Sequence, residues 1–141
     1  MRHAGDEQGS ITLWVLGLCM MMVFVGGISL DLWRAFSERR ALAGVVDAAA
    51  VAGSNGIDVP YFRETSQLRL DPPLAERLAG DNLAAQSDTR ALVEADASST
   101  TGEVTVTAKG RVDFTLLRIF MAGEEPFTVT VRATADPRRS P

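Results

Sequence analysis

Four places in this chain pair a residue type with a position where chemistry or recognition could follow. Asp31 closes an apolar run, Ile11–Leu30 ("ITLWVLGLCMMMVFVGGISL"), that contains no charged side chain. An ionised carboxylate beside lipid is costly unless hydrated or paired. Arg34 stands three residues on, where a helix-surface ion pair is worth roughly a few tenths of a kcal/mol. The sharper reading of Asp31 and Arg34 is a contact with another membrane subunit. Asp47 is the lone acid of an alanine-rich stretch; it is either solvated, as isolated acids on helices usually are, or it registers its helix against a sheet or a partner. Gly9-Ser10, a small pair directly before the apolar run, is the candidate processing junction. It is either a bond that is cut or the first turn of a permanent anchor.

The absences narrow the chemistry further. His3 is the only histidine, Cys19 the only cysteine, and Lys109 the only lysine among fourteen basic residues. A His general base, a Cys–His pair or a Cys/His zinc site therefore cannot be assembled beyond the first thirty or so residues. One cysteine permits no intramolecular disulfide. A carboxylate-only or Ser–Lys enzyme passes this filter, but Lys109 sits in "TAKGR", which reads as strand. Glu124-Glu125 before Pro126 reads as a solvated turn. No paired carboxylates, glycine-rich phosphate loop or nucleophile–base spacing emerges, so no catalytic residue, cofactor, metal or small-molecule substrate is expected. The net charge of −4 is spread along the chain, which does not make the basic stripe that nucleic acid would require.

These residues need elements to hold them. As a helix, Ile11–Leu30 is about 30 Å long, the thickness of a bilayer's hydrocarbon core. Trp14 and Trp33 lie near its ends, where amphipathic rings favour the interface. A buried core helix is the alternative, but the remaining chain is too small to surround it. A cleaved secretory signal is another, although the apolar run exceeds the usual length and the nearest Ala-x-Ala lies beyond "DLWRAFSERR". A retained anchor fits best. Arg2 and His3 are offset by Asp6 and Glu7, whereas Arg34, Arg39 and Arg40 follow the run. Counting bases alone, the C-terminal part would be cytoplasmic.

Beyond the run, "SERRALAGVVDAAAVAG" continues without proline in good helix formers, with Arg34 and Glu38 spaced to pair. Its alanines make a slim rod that other helices could approach closely, which places Ala49 with Asp31, Arg34 and Asp47 among candidate subunit contacts. Gly53, Asn55 and Gly56 supply the stop. A second helix is expected over 71–87, with Asp71 as N-cap, Pro72 at its first position and a stripe of Leu74, Ala75, Leu78, Ala79 and Leu83. The intervening "IDVPYFRETSQLRL" is less regular, with Tyr61 and Phe62 covering the core. From residue 90 the period changes to that of strands in "ALVEADA", "EVTVTAKGRVDF" and "FTVTVRATA", with "SSTTG" as a hairpin turn and "TLLRIFMAG" as an apolar crossover. The expected fold is α+β: a leader (1–10), a transmembrane helix (11–30), a helical extension (31–56), a small domain of one helix on a three-stranded antiparallel sheet (57–136), and a loose tail (137–141).

The string from Gly9 to Gly53 resembles the N-terminal signature of TadE/TadG-like proteins of the Tad (tight adherence, Flp pilus) assembly system. Its elements are Gly9-Ser10, the boundary "DLWR" (31–34), and "RRALAGVVDAAAVAG" (39–53), with Asp47 in the acidic position of the family's "ADAAALA" segment. "LRLDPPLAERLA" and "FTVTVRATADP" look like the pieces of short actinobacterial members. The resemblance implies a single-pass cell-membrane protein with an extracytoplasmic C-terminal domain. Its implied role is structural, as a minor pilin-like or assembly subunit of a pilus or secretion system whose partners are lipid and other Tad subunits. Processed pilin-like members carry glutamate at the fifth position after the cleaved glycine. Counting from Gly9 that residue is Trp14, and from Gly5 it is Ser10, so the resemblance is to the unprocessed TadG type. The alternative is a membrane-tethered extracytoplasmic binding or sensor domain unrelated to pili.

Overall fold

The structure, a computed structural model, describes residues 6–86, 92–112 and 127–137. In chain order it contains α1 (Asp6–Ser54), α2 (Val59–Thr65), α3 (Pro72–Ala85), β1 (Leu92–Ser99), β2 (Val104–Val112) and β3 (Phe127–Ala135). The strands form one antiparallel sheet in the order β1-β2-β3. The α+β architecture read from the sequence is the one observed. The expected crossover "TLLRIFMAG", the Glu124-Glu125 turn and the end of the tail lie outside the described residues.

The chain divides into two compact units: residues 1–35 with 114–124, and residues 36–113 with 125–141. In the first, the described part is the α1 segment through Ala35. In the second, Leu42, Val45, Val46, Ala49 and Ala50 of α1 recur at helical spacing and are all buried. They join Ala75, Ala79 and Leu83 of α3, Leu70, and the inward row Val104, Val106 and Ala108 of β2 in one core. The later part of α1 is a core element of the folded unit, because its stripe is wide enough to face a sheet. Each fully buried Leu or Val there contributes about 1.5–3 kcal/mol relative to exposure.

Strand alternation sorts the sheet's two faces. On β2 the buried row Val104–Val106–Ala108–Gly110–Val112 alternates with Thr105, Thr107, Lys109 and Arg111 on the outer face. Partners in register match: Ala97 and Ala133 flank Val106, whereas Asp96 and Arg132 flank Thr107. The β1–β2 register shifts between Leu92 and Glu94, and Val93 at that irregularity is exposed. In the β1–β2 turn, Thr100 N–H donates to Glu103 O at 2.8 Å.

The stretch between α1 and α3 is more ordered than its sequence suggests. Asp58 N-caps α2 by accepting from Tyr61 N–H at 3.1 Å, with Pro60 in the first turn, and Ser66 ends the helix at φ 59°. Asp71 does precede α3, with Pro72 first, but its side chain makes no cap hydrogen bond; its carbonyl accepts from Ala75 N–H at 2.9 Å instead. Gly53 and Gly56 end α1 without adopting positive φ. Their lack of a Cβ serves a close approach to α3.

Candidate functional site

The Ile11–Leu30 run lies within α1, so every backbone donor and acceptor there can be satisfied inside the helix. The side chains point outward: Leu13 is 70% exposed, Trp14 79% and Val23 72%. The helix is long and apolar enough to cross a membrane, and almost none of its apolar stretch is buried by the rest of the chain. A soluble domain rarely leaves so much contiguous apolar surface to water. Gly17 leaves a shallow apolar notch lined by Leu13, Trp14, Leu18 and Met21.

The residues singled out by sequence fall in different settings. Gly9 and Ser10 lie inside α1, in its first two turns. Asp31 is buried, at 5% exposure, and engaged within the chain. A buried carboxylate demands compensation by the protein itself. Arg34 is exposed, and so is Asp47. Ala49 is fully buried in the folded unit's own core. Asp47 and Ala49 therefore occupy opposite settings although two residues apart, since successive helix positions turn by 100°.

A cluster that sequence reasoning missed closes the α1–α3 connection. Arg69 forms an ion pair with Asp58, and its guanidinium lies 4.0 Å over the Tyr61 ring, a cation–π distance. The Arg69 hydrogen bond, then the Tyr61 N–H, hold the Asp58 carboxyl below its ordinary pKa. Backbone bonds strap the same loop: Asp58 N–H to Arg69 O, Leu70 N–H to Thr101 O, and Asp71 N–H to Gly56 O, all 2.9 Å. The sequence signal was Asp58 two residues before Pro60, the same helix-start pattern as Asp71-Pro72.

On the outer face of the sheet, Lys109 Nζ donates to Glu94 Oε2 at 2.8 Å across β1 and β2. That contact raises the Lys109 pKa and lowers that of Glu94. Thr105 and Thr134 hydroxyls approach to 3.3 Å, and Arg132 Nε donates to Thr107 Oγ1 at 3.4 Å. These bonds tie strands together through exposed side chains. No group of three or more potential metal ligands converges among the described residues.

A long apolar helix running on into the core of a small α+β unit defines the class: a domain carried on a candidate membrane anchor. Residues 9–56 match the family model of TadE/G-like proteins of Flp pilus assembly. The chain is therefore TadE/G-like over that segment, which ends at the glycine that closes α1 against α3. Neither the curated proteins nor the solved structures contain a match to this chain. The family is a component of pilus assembly and is not known as an enzyme.

Proposed function

We propose that this protein is a single-pass, membrane-anchored structural subunit of a Tad/Flp-type pilus or secretion system. It acts as a minor pilin-like or scaffold component through subunit contacts and not through catalysis. The observation that carries this reading is a coincidence in one stretch: the TadE/G-like match over 9–56 contains the apolar helix that the rest of the chain leaves uncovered. The folded unit then lies on the extracytoplasmic side, as the resemblance implies and against the count of flanking arginines. Trp14 in the place of the family's glutamate supports an N-terminus that stays attached.

Intact mass of the chain extracted from membranes, with protease access to whole cells and spheroplasts, tests this. Retention of residues 1–9, resistance to alkaline extraction and cleavage of the folded unit from outside are the expected results. A chain starting at Ser10 overturns the permanent anchor, and cleavage only after lysis overturns the orientation. The rival reading, a tethered binding domain without a pilus, draws on the core that residues after 56 share with the end of α1. Loss of pilus assembly on deleting the gene decides against it.

A further inference from the structure

The two edges of the sheet carry opposite charge. β1 holds Glu94 and Asp96 and no base, while β3 holds Arg132 and no acid. Asp96 and Arg132 flank Thr107 from either side, so the three form one row across the outer face. Two strand steps, roughly 9.6 Å, separate the acid from the base within the chain. Arg132 Nε reaches Thr107 Oγ1 at 3.4 Å, and the exposed Asp96 has no ion-pair partner among the described residues. No described strand lies beyond either edge, and unpaired edge backbone is a template for another chain. β3 keeps unbroken register with β2 over its whole length, without proline. On β1 the regular stretch starts at Glu94, past the irregularity at Val93. The Thr100 N–H bond to Glu103 O fixes which residues face outward, since antiparallel pairs alternate. Ala95, Ala97 and Ser99 turn their backbone groups to the open side of β1, and Thr130, Arg132 and Thr134 do so on β3. The Ser99 N–H already goes to Glu76 Oε1 at 3.0 Å, which closes that end of the free stretch.

We propose that a second copy of this chain docks at this edge, its β1 pairing in parallel with β3, so that Arg132 lies opposite Asp96 of the second copy. In a parallel pair each bonding residue reaches the two residues flanking its opposite. Arg132 then donates its N–H to the second copy's Ala95 O and accepts from its Ala97 N–H, both outward groups. The inner face agrees in size, because half-buried Val131 and Ala133 meet the small side chains of Ala95 and Ala97. Charge selects this occupant. A β1 edge on a second β1 crowds acids together, and β3 on β3 leaves each arginine without an acid; only unlike edges set base against acid. With the core faces on one side, the contact keeps both copies in the same orientation. It can repeat from copy to copy, as a head-to-tail contact that builds an open row. The pairing rests on the sheet alone and is independent of the anchor.

Disulfide trapping in cells expressing the full chain with Cys19→Ala tests this. Ser98 and Thr134 flank Thr105 within one chain, roughly 9.6 Å apart, beyond the reach of a disulfide. The proposed register makes them neighbours across two copies. Co-expressed Ser98→Cys and Thr134→Cys chains should cross-link to dimers on mild oxidation, and neither variant should do so alone. The double variant should give a ladder of multimers. Arg132→Glu should cut that ladder about fivefold, and adding Asp96→Arg to the same chain should restore it. Asp96→Arg alone, at the opposite edge, should give the same loss, which separates lost pairing from a misfolded β3. Thr134→Cys chains that cross-link by themselves overturn the proposal in favour of β3 on β3, and Ser98→Cys chains that do so overturn it in favour of β1 on β1. A ladder indifferent to Arg132→Glu overturns the charge-set register. Absence of a ladder in cells whose membranes retain the chain overturns the pairing and leaves the anchor standing. A ladder from chains that leave the membrane fraction supports the pairing and overturns the anchor.

Discussion

A Cβ placed on Gly56 would lie 2.7 Å from both the Cα and the amide nitrogen of Ala75. Backbone there meets backbone, so no side-chain rotation can make room. At Gly53, three residues earlier, the corresponding atom meets Val104 Cγ1 at 2.9 Å, the backbone Ala75 O at 3.1 Å and Ala79 Cβ at 3.2 Å. Gly56→Ala should therefore cost about 1–3 kcal/mol, lowering the melting temperature of the full chain in detergent by about 10 °C. Gly53→Ala should cost less, since its one contact under 3 Å is a Val104 methyl that can shift and the Ala75 O and Ala79 Cβ contacts, at 3.1 and 3.2 Å, need only a few tenths of an ångström. A Gly56→Ala protein that melts with the wild type would mean the α1–α3 contact is looser than this.

The same glycines show where sequence reading stops. Both were legible as the end of α1, but through the turn chemistry that glycine usually signals. Their actual use, close approach to Ala75 and Ala79, depends on elements nearly twenty residues or more away, and no local pattern encodes it. The strands and α3 were legible because alternation and the 75–79–83 stripe are local periods. The membership of Leu42, Val45, Val46 and Ala49 in the core was not, since an alanine-rich amphipathic helix presents the same face to a sheet or to a partner. The position of Asp31 at the end of the apolar run was legible and its burial was not, for a reason of the same kind: which face of a helix is covered is a tertiary fact.

Leu42 decides whether the later half of α1 belongs to the folded unit energetically. It is 1% exposed, and truncation of such a residue costs about 2–5 kcal/mol. Leu42→Ala should sharply destabilise the sheet domain, read as loss of near-UV dichroism and faster proteolysis between β1 and β2. Met20→Ala, in the exposed apolar run, should leave both unchanged. Equal behaviour of the two variants would sink the shared core.

The Asp58–Arg69 pair predicts an acid limb. The carboxyl pKa is held below its ordinary value in the fold. Its stabilisation is therefore complete above the unfolded-state value near 4 and is lost as pH falls through the lower folded-state value. Asp58→Asn still accepts from Tyr61 N–H but removes the charge facing Arg69. Its melting temperature should lie modestly below the wild type at pH 7, and the gap should close as pH drops toward 2–3. A gap that stays constant over this range would show that the cap and the cation–π contact matter while the charge does not. Both side chains are partly exposed, so added salt should also narrow it.

Asp47 and Ala49 separate assembly from folding. Ala49→Leu forces three extra heavy atoms into a fully buried position, and overpacking of this kind costs about 1–3 kcal/mol. Loss of assembly in that variant would report on stability as much as on any partner. Asp47 is exposed, and an exposed substitution away from caps and charge networks usually stays within about 0.5 kcal/mol of neutral. Asp47→Ala should therefore leave the melting temperature in place. If the outward face of α1 meets another pilus subunit through this carboxylate, the same variant should lose co-purification of assembly partners from native membranes. A variant that is stable, membrane-bound and still assembles would rule out Asp47 as a contact and move the search to the sheet's threonine-rich outer face.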